Sequence, residues 1–257
     1  MMKDLFDLKG KTALITGGSR GIGKGIARGL ASRGADIAIA ARNEDRMRRT
    51  ADAIEAEFKT KTACLRVDVR SKAQIDDMVK ETVEIFGGIH VLVNNAGILM
   101  ARLPQDLSTE EWDRVIDINL KSVFLCSKAV YPVMKAAGGG KIICIGSMYS
   151  IFGGFMSASY GAAKGGVVQL VRSLAVAWAP DNIQVNAILP GWIETDMILE
   201  SERNFPGMSE WVVSRTPAGR MGRIDDMAGT AAFLSSPGSD FVTGVSIPVD
   251  GGWSVMG

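Results

Sequence analysis

Short runs rich in β-branched residues alternate along the chain with longer segments whose apolar positions recur every three to four residues. Lys11–Thr16, Asp36–Ala41, Thr62–Val67, Ile89–Val93, Lys141–Ile145, Ile183–Leu189 and Val245–Val249 read as strands. Residues 21–33, 44–58, 71–86, 109–136, 158–179 and 224–235 read as helices. Several strands are apolar almost throughout, the pattern of strands covered on both faces. Helices between such strands imply right-handed crossovers, hence an α/β fold: a doubly wound parallel sheet of about seven strands. Ligands of such sheets bind beyond the carboxyl ends of the strands, where the strand order reverses. No linker, repeat or low-complexity tract divides residues 1–257, so a single domain is expected. One stretch breaks the rhythm. Trp192–Arg223 is long, mixed and weakly periodic, and is expected to supply a functional lid at about 192–215.

Composition narrows the class of function. Apolar residues make up 47% and charged residues 22%, so the chain can bury a core without disulfide or metal support. The 29 basic and 28 acidic residues leave a net charge of +1, which offers no electrostatic footprint for nucleic acid or an anionic membrane. Cys64, Cys126 and Cys144 lie far apart, and His90 is the single histidine. A metal centre or a Ser-His-Asp triad therefore has almost nothing to be built from, and His90 reads as a strand-end residue. The first seven residues mix acids with apolar side chains and do not resemble a signal peptide. The uncharged stretch 142–163 holds four Gly, four Ser and two Tyr, poor material for a membrane span. A cytoplasmic chain is expected.

Two segments carry candidate chemistry. After the first strand comes Thr16-Gly17-Gly18-Ser19-Arg20-Gly21-Ile22-Gly23, followed at once by a helix. Glycines let a backbone approach a pyrophosphate, and a helix N-terminus offers free N–H groups. The strand-turn-helix context is the one a dinucleotide fingerprint requires, although the relevant glycines are 17, 21 and 23. The second strand ends Ala41-Arg42-Asn43, without the acid that would hold a ribose hydroxyl. Arg42 and Arg20 could clamp a 2′-phosphate, or could equally be solvated surface arginines. NADP(H) is favoured over NAD(H) on this reading.

The second segment is Tyr160-Gly161-Ala162-Ala163-Lys164, at the start of a helix. Four residues apart is one helical face, so phenol and ammonium are neighbours. Lys164 lies in line with Val167, Val168, Val171 and Leu174, an apolar stripe on which an ammonium needs a partner. A cation ~4 Å from a phenol at an effective dielectric of ~20 is worth roughly 4 kcal/mol. That would bring the phenol from about 10 to near 7, where it can exchange a proton with an alcohol oxygen. Asn119 falls on a stripe with Trp112, Val115, Ile116 and Val123, and Ser147 follows the fifth strand. Taken singly these two are equally a core amide and a turn serine.

In combination the residues resemble the classical short-chain dehydrogenase/reductase family along nearly the whole chain. The resemblance rests on seven ordered blocks: Thr16-Gly17-x-x-x-Gly21-Ile22-Gly23, Asp68, Asn94-Asn95-Ala96-Gly97, Asn119, Ser147, Tyr160-x-x-x-Lys164, and Pro190-Gly191 with Thr195. Val242-Thr243-Gly244 and Val249-Asp250-Gly251-Gly252 close it. The resemblance implies a Rossmann-type domain that moves a hydride between nicotinamide and a carbinol carbon. It implies Tyr160 as general acid/base, with Lys164 tuning it and holding the nicotinamide ribose. Ser147 would bond the substrate oxygen, and Asn119 would hold a relay water. The Gly-rich turn, with Gly17, Ser19, Arg20, Gly21, Ile22 and Gly23, would take the pyrophosphate side. Asp68 would receive the adenine, Asn95, Ala96 and Gly97 would line the adenosine ribose side, and Thr195 with Ile193 would fix the carboxamide. Arg42, Asn43, Val69, Pro190 and Gly191 would also line the cofactor site. A homotetramer is also implied.

The substrate is the least legible part. Met100, Met148, Phe152, Phe155, Met156, Trp192, Met197, Phe205, Met208 and Trp211 could wall a pocket for a ketone or alcohol, or could simply pack. Arg102 and Arg203 could receive a carboxylate. The pattern is similar to enzymes of sugar acids and polyols and to 3-oxoacyl-carrier-protein reductases. A non-catalytic dinucleotide sensor is the rival of another class, but it would have no use for the set Asn119, Ser147, Tyr160 and Lys164.

Overall fold

The computed structural model describes residues 4–256. Among them the strands β1 (Thr12–Thr16), β2 (Asp36–Ala41), β3 (Thr62–Arg66), β4 (Val91–Asn94), β5 (Gly140–Ile145), β6 (Ile183–Pro190) and β7 (Ser246–Val249) form one sheet. Its order is β3-β2-β1-β4-β5-β6-β7, and every pairing is parallel. The chain reverses direction of travel across the sheet between β1 and β4, which makes the crevice beyond Thr16 and Asn94 the switch point. The single His90 stands before β4, where its Nδ1 accepts from the Thr12 N–H at 3.0 Å and burial pushes its pKa down.

Residues alternate strictly between two cores. Ala13, Ile15, Val91, Val93, Ile143 and Ile145 point to one face, and Leu14, Leu92, Ile142 and Cys144 to the other. The first face is covered by α1 (Gly21–Ala31), α2 (Glu44–Phe58) and α9 (Ala228–Ser235) through Ile26, Leu30, Met47, Ile54 and Leu234. The second is covered by α3 (Lys72–Phe86), α5 (Ser122–Ala136) and α6 (Ala158–Trp178) through Ile75, Val123, Val130, Val167 and Val171. Local signals start and stop these helices. Asn43 and Ser71 cap α2 and α3 by accepting from Arg46 and Gln74 N–H groups, and Gly87 ends α3 in the left-handed region.

Two expectations change. The helix read over 109–136 is three pieces: α4 (Thr109–Ile116), a π-helical turn at Asp117–Lys121, and α5. The extra residue in that turn rotates Asn119 fully inward while Trp112 stays 38% exposed, so the two do not share a buried stripe. The segment expected to supply a lid is also helical, not an irregular loop. It consists of α7 (Asp196–Asn204) and α8 (Met208–Arg215), each too short for the period to be legible. Glu202 on α7 accepts from the N–H groups of Gly207 and Ser209 at 2.8 and 2.7 Å and from the Ser209 hydroxyl at 2.6 Å. Those bonds cap α8 and hold the Glu202 carboxyl below its usual range.

Close packing of α1 depends on missing side chains. A Cβ at Gly25 would overlap the Ile224 carbonyl oxygen, so α1 seats directly on the chain leading into α9. Gly25→Ala is expected to lower the unfolding free energy by about 1–3 kcal/mol. At Gly229 an added carbon meets nothing within 4 Å, and Gly229→Ala is expected to stabilise by about 0.5–1 kcal/mol. Urea unfolding of both variants checks the contrast, and equal effects would refute close approach as its cause.

Candidate active site

A cleft of about 1310 Å³ opens at the carboxyl ends of the strands, over the switch point. The β1–α1 turn forms one wall. Gly17 and Gly21 adopt φ of 67° and 52°, conformations that favour glycine. The turn is stitched to the end of β4 by Thr16 and Asn95. Thr16 Oγ1 accepts from the N–H groups of Asn95 and Ala96 at 3.1 and 3.2 Å. Asn95 Nδ2 donates back to the Thr16 and Gly17 carbonyls at 3.1 and 3.0 Å. Unlike α2 and α3, α1 begins at Arg20 with no side-chain cap. Its first N–H groups therefore face the cleft as open donors at the positive end of the helix.

Most of the expected cofactor residues line this cleft: Gly17, Ser19, Arg20, Gly21, Ile22, Arg42, Asn43, Asp68, Val69, Asn95, Ala96, Gly97, Pro190, Gly191, Ile193 and Thr195. Gly23 does not line it. It sits behind the turn, where a Cβ would come within 2.5 Å of the Gly17 carbonyl oxygen. Of the two arginines suggested as a clamp, Arg20 is ion-paired at the cleft with Asp196, the first residue of α7, at 3.0 Å. Arg46, on the first turn of α2, lines the wall beside Arg42 instead. Sequence spacing passed over Arg46 because it lies inside a helix of many charges. Asp68 is drawn to Arg70 at 2.6 Å, which holds its carboxyl at about 2.

At the other end of the cleft stand Ser147, Tyr160 and Lys164. Ser147 follows β5 in a tight turn whose geometry is set by Ser150. Ser150 Oγ accepts from the Ser147 N–H at 3.1 Å and donates to the Lys164 carbonyl at 2.8 Å, tying the turn to α6. Lys164 is 4% exposed, and its Nζ donates to the Ile145 carbonyl at 2.7 Å. Asn119 stands just behind, its amide bonded both ways to the Ile98 backbone at 2.9 and 2.8 Å. Gly97 leaves the space between them: a Cβ there would lie 3.3 Å from Asn119 Oδ1 and 3.8 Å from Lys164 Nζ.

The electrostatics correct the sequence reading. Burial pushes the Tyr160 phenol up to about 12, opposed by its hydrogen bond with Ser147. Burial likewise pushes Lys164 down to about 8. The ammonium is aimed at a backbone carbonyl and lies 5.7 Å from the Tyr160 ring centre, so desolvation outweighs its pull on the phenol. Tyr160 is thus a protonated phenol at neutral pH, the form that donates.

The cleft around Tyr160 is aromatic. Tyr149 meets Tyr160 edge-on at 6.1 Å and Trp192 at 6.3 Å. Trp192, Trp211 and Trp253 form an edge-to-face cluster with centroids 5.3 to 6.4 Å apart. Met148, Phe152, Phe155, Met156, Met197, Phe205 and Met208 line the cleft as expected, whereas Met100 does not. Neither suggested carboxylate receptor is there: Arg102 pairs with Glu111 at 3.4 Å outside the cleft, and Arg203 is not among its lining residues. Arg215, Trp253 and Met256 are, although only the tertiary fold brings them in. No group of His, Cys, Asp and Glu among the described residues could hold a metal ion, and no described helix is long and apolar enough to cross a membrane.

The depressed Lys164 pKa has a measurable consequence. Between about pH 8 and its ordinary value of 10.5 the unfolded chain holds a proton that the folded one has released, so stability rises with pH across that window. The Tm difference between Lys164→Met and wild type is expected to move in favour of wild type from about pH 7 to about pH 9.5. A difference that stays flat would mean that Lys164 is not desolvated.

Comparison with known proteins places this geometry. The family model described as enoyl-(acyl carrier protein) reductase matches residues 17–254. The 2-dehydro-3-deoxy-D-gluconate 5-dehydrogenase of Bacillus subtilis is 41% identical over 255 residues, covering 98% of each chain. The gluconate 5-dehydrogenase of Gluconobacter oxydans is 38% identical over 255 residues, again covering 98% of each. Among solved structures, a gluconate 5-dehydrogenase from Burkholderia cenocepacia in complex with NADP and tartrate superposes with a TM-score of 0.92. It shares 40% identity and 98% coverage of both chains. The chain belongs to the classical short-chain dehydrogenase/reductase family, and it is an oxidoreductase acting on CH–OH groups.

Proposed function

We propose that this protein is an NADP(H)-linked dehydrogenase that interconverts a secondary alcohol and a ketone on a gluconate-type sugar acid. The observation that carries the reading is the convergence of Ser147, Tyr160 and Lys164 on one end of a cleft whose other wall is the uncapped N-terminus of α1. The residues fit a dinucleotide. Open N–H donors and close backbone approach at Gly17 suit a pyrophosphate, and the Arg42 and Arg46 guanidiniums suit a 2′-phosphate. The names of the relatives from Bacillus subtilis and Gluconobacter oxydans support the sugar acid, and the bound NADP of the Burkholderia cenocepacia structure supports the cofactor.

When bound, the nicotinamide supplies or receives the hydride. The protein supplies the proton. Ser147 donates a hydrogen bond that fixes the carbonyl oxygen, and the protonated Tyr160 phenol gives that oxygen its proton in the reductive direction. Lys164 anchors the lower turn of α6 to β5, so that Tyr160 one turn earlier is held over Ser147. Asn119, across the gap left by Gly97, places a water that returns protons toward Lys164. Acyl-carrier-protein substrates find less support, because a chain with a net charge of +1 presents no strong basic excess for an acidic carrier.

Tyr160→Phe is expected to reduce kcat by at least 100-fold while leaving NADPH affinity within about threefold. Steady-state rates and nicotinamide fluorescence titration check this, and retention of more than a few per cent of kcat would remove Tyr160 from the proton step. Arg42→Ala is expected to weaken NADPH binding by about tenfold or more, ~1.4 kcal/mol, with little change for NADH. Equal effects on both nucleotides would return Arg42 to the solvated surface.

A further inference from the structure

We propose that Arg215 is the substrate-carboxylate receptor of this enzyme, a specificity role that rests on the sugar-acid reading above. The charged side chains that line the cleft are few, and most are committed elsewhere. Arg42 and Asp68 follow the ends of β2 and β3, and Arg46 lies on the first turn of α2, at the wall of the cleft opposite Tyr160. Arg20 and Asp196 pair with each other, and Lys164 is buried on the Ile145 carbonyl. Arg215 remains. It is the last residue of α8, and it makes no ion pair among the described residues.

What holds Arg215 is aromatic. Its guanidinium carbon lies 5.5 Å from the Trp211 ring centre and 4.9 Å from that of Trp253. Those two rings meet edge-to-face at 5.3 Å, and Trp192 joins them at 6.4 and 5.9 Å. Indoles attract a guanidinium through its flat faces, which leaves the N–H groups along its edge free to donate. That edge is the geometry that binds a carboxylate through two parallel hydrogen bonds. The surrounding wall is otherwise Trp, Met and Phe, in which an unpaired carboxylate would be costly. Trp192 adds a buried indole N–H that has no acceptor among the described residues.

A helix C-terminus by itself also favours a cation, so a purely structural role has to be separated from recognition. The lysine variant does so, because it keeps the charge at the end of α8 and loses the planar fork. Steady-state kinetics would use NADP⁺ with D-gluconate and with D-gluconamide, which has the same carbon chain and no carboxylate. Wild type is expected to show the lower KM for the acid. Arg215→Gln is expected to raise the acid-to-amide KM ratio by tenfold or more with kcat on the acid within about threefold. Arg215→Lys is expected to recover part of that ratio. NADPH titration and Tm of each variant verify that the cofactor end and the fold are intact.

An unchanged ratio in Arg215→Gln, or an equal loss on both substrates, overturns the receptor role and leaves the sugar-acid reading standing. Full recovery of the ratio by lysine overturns the fork geometry in favour of charge alone. Wild type that turns over neutral ketones but not gluconate or 2-dehydro-3-deoxy-D-gluconate overturns the substrate reading, and the receptor role with it.

Discussion

The Ser147–Tyr160–Lys164 end of the cleft hangs on one hydrogen bond, from the Lys164 ammonium to the Ile145 carbonyl at 2.7 Å. An ammonium that is 4% exposed on an apolar helix face has to find an acceptor, and the end of β5 is where one is offered. The bond therefore fixes how α6 is rotated and how far it advances along the sheet. Tyr160 lies one turn earlier and inherits its position. Ser150 reinforces the arrangement by bonding both the Ser147 N–H and the Lys164 carbonyl, so strand end, turn and helix move as one body. The cost is electrostatic. Desolvation lowers Lys164 and raises Tyr160, which keeps the phenol protonated.

A second lock acts at the switch point. Thr16 and Asn95 exchange hydrogen bonds across the gap between β1 and β4, and this holds open the crevice where the strand order reverses. Because the glycines of the turn carry no side chains, the backbone can present its N–H groups there instead of atoms that would fill the crevice. The β1–α1 end of the cleft thus presents backbone donors together with the Arg42 and Arg46 side chains, whereas the opposite end is walled mainly by aromatic and Met side chains. The Arg20–Asp196 pair joins these two ends through an exposed contact, which makes it weak and easily exchanged.

Much of this was legible in the sequence. Near-continuous apolar strands, helical periods near 3.6 and the turn glycines pointed to the doubly wound sheet, because each is a local property of the chain. Tyr160 and Lys164 were legible as neighbours, since four residues on a helix is one face. Most of the residues that the motif order assigned to a cofactor line one cleft. Local spacing also misled. It placed Trp112 with Asn119, because nothing in the residues announces the π-helical turn that rotates one inward and leaves the other exposed.

Only the tertiary structure decided where charges end up. Spacing offered Arg20, Arg102 and Arg203 as anion receptors, and the fold pairs the first two with Asp196 and Glu111 and leaves the third off the cleft. It brings forward Arg46 and Arg215 instead, the latter by folding residue 253 back over residue 211. The sign of the pKa shifts was likewise a tertiary matter. Along the sequence Lys164 is simply a cation next to a phenol, whereas in the fold its partner is a carbonyl and burial shifts the two groups in opposite directions. Sequence determines what is periodic and local; burial and long-range partners, which set electrostatics and recognition, exist only once the chain has closed on itself.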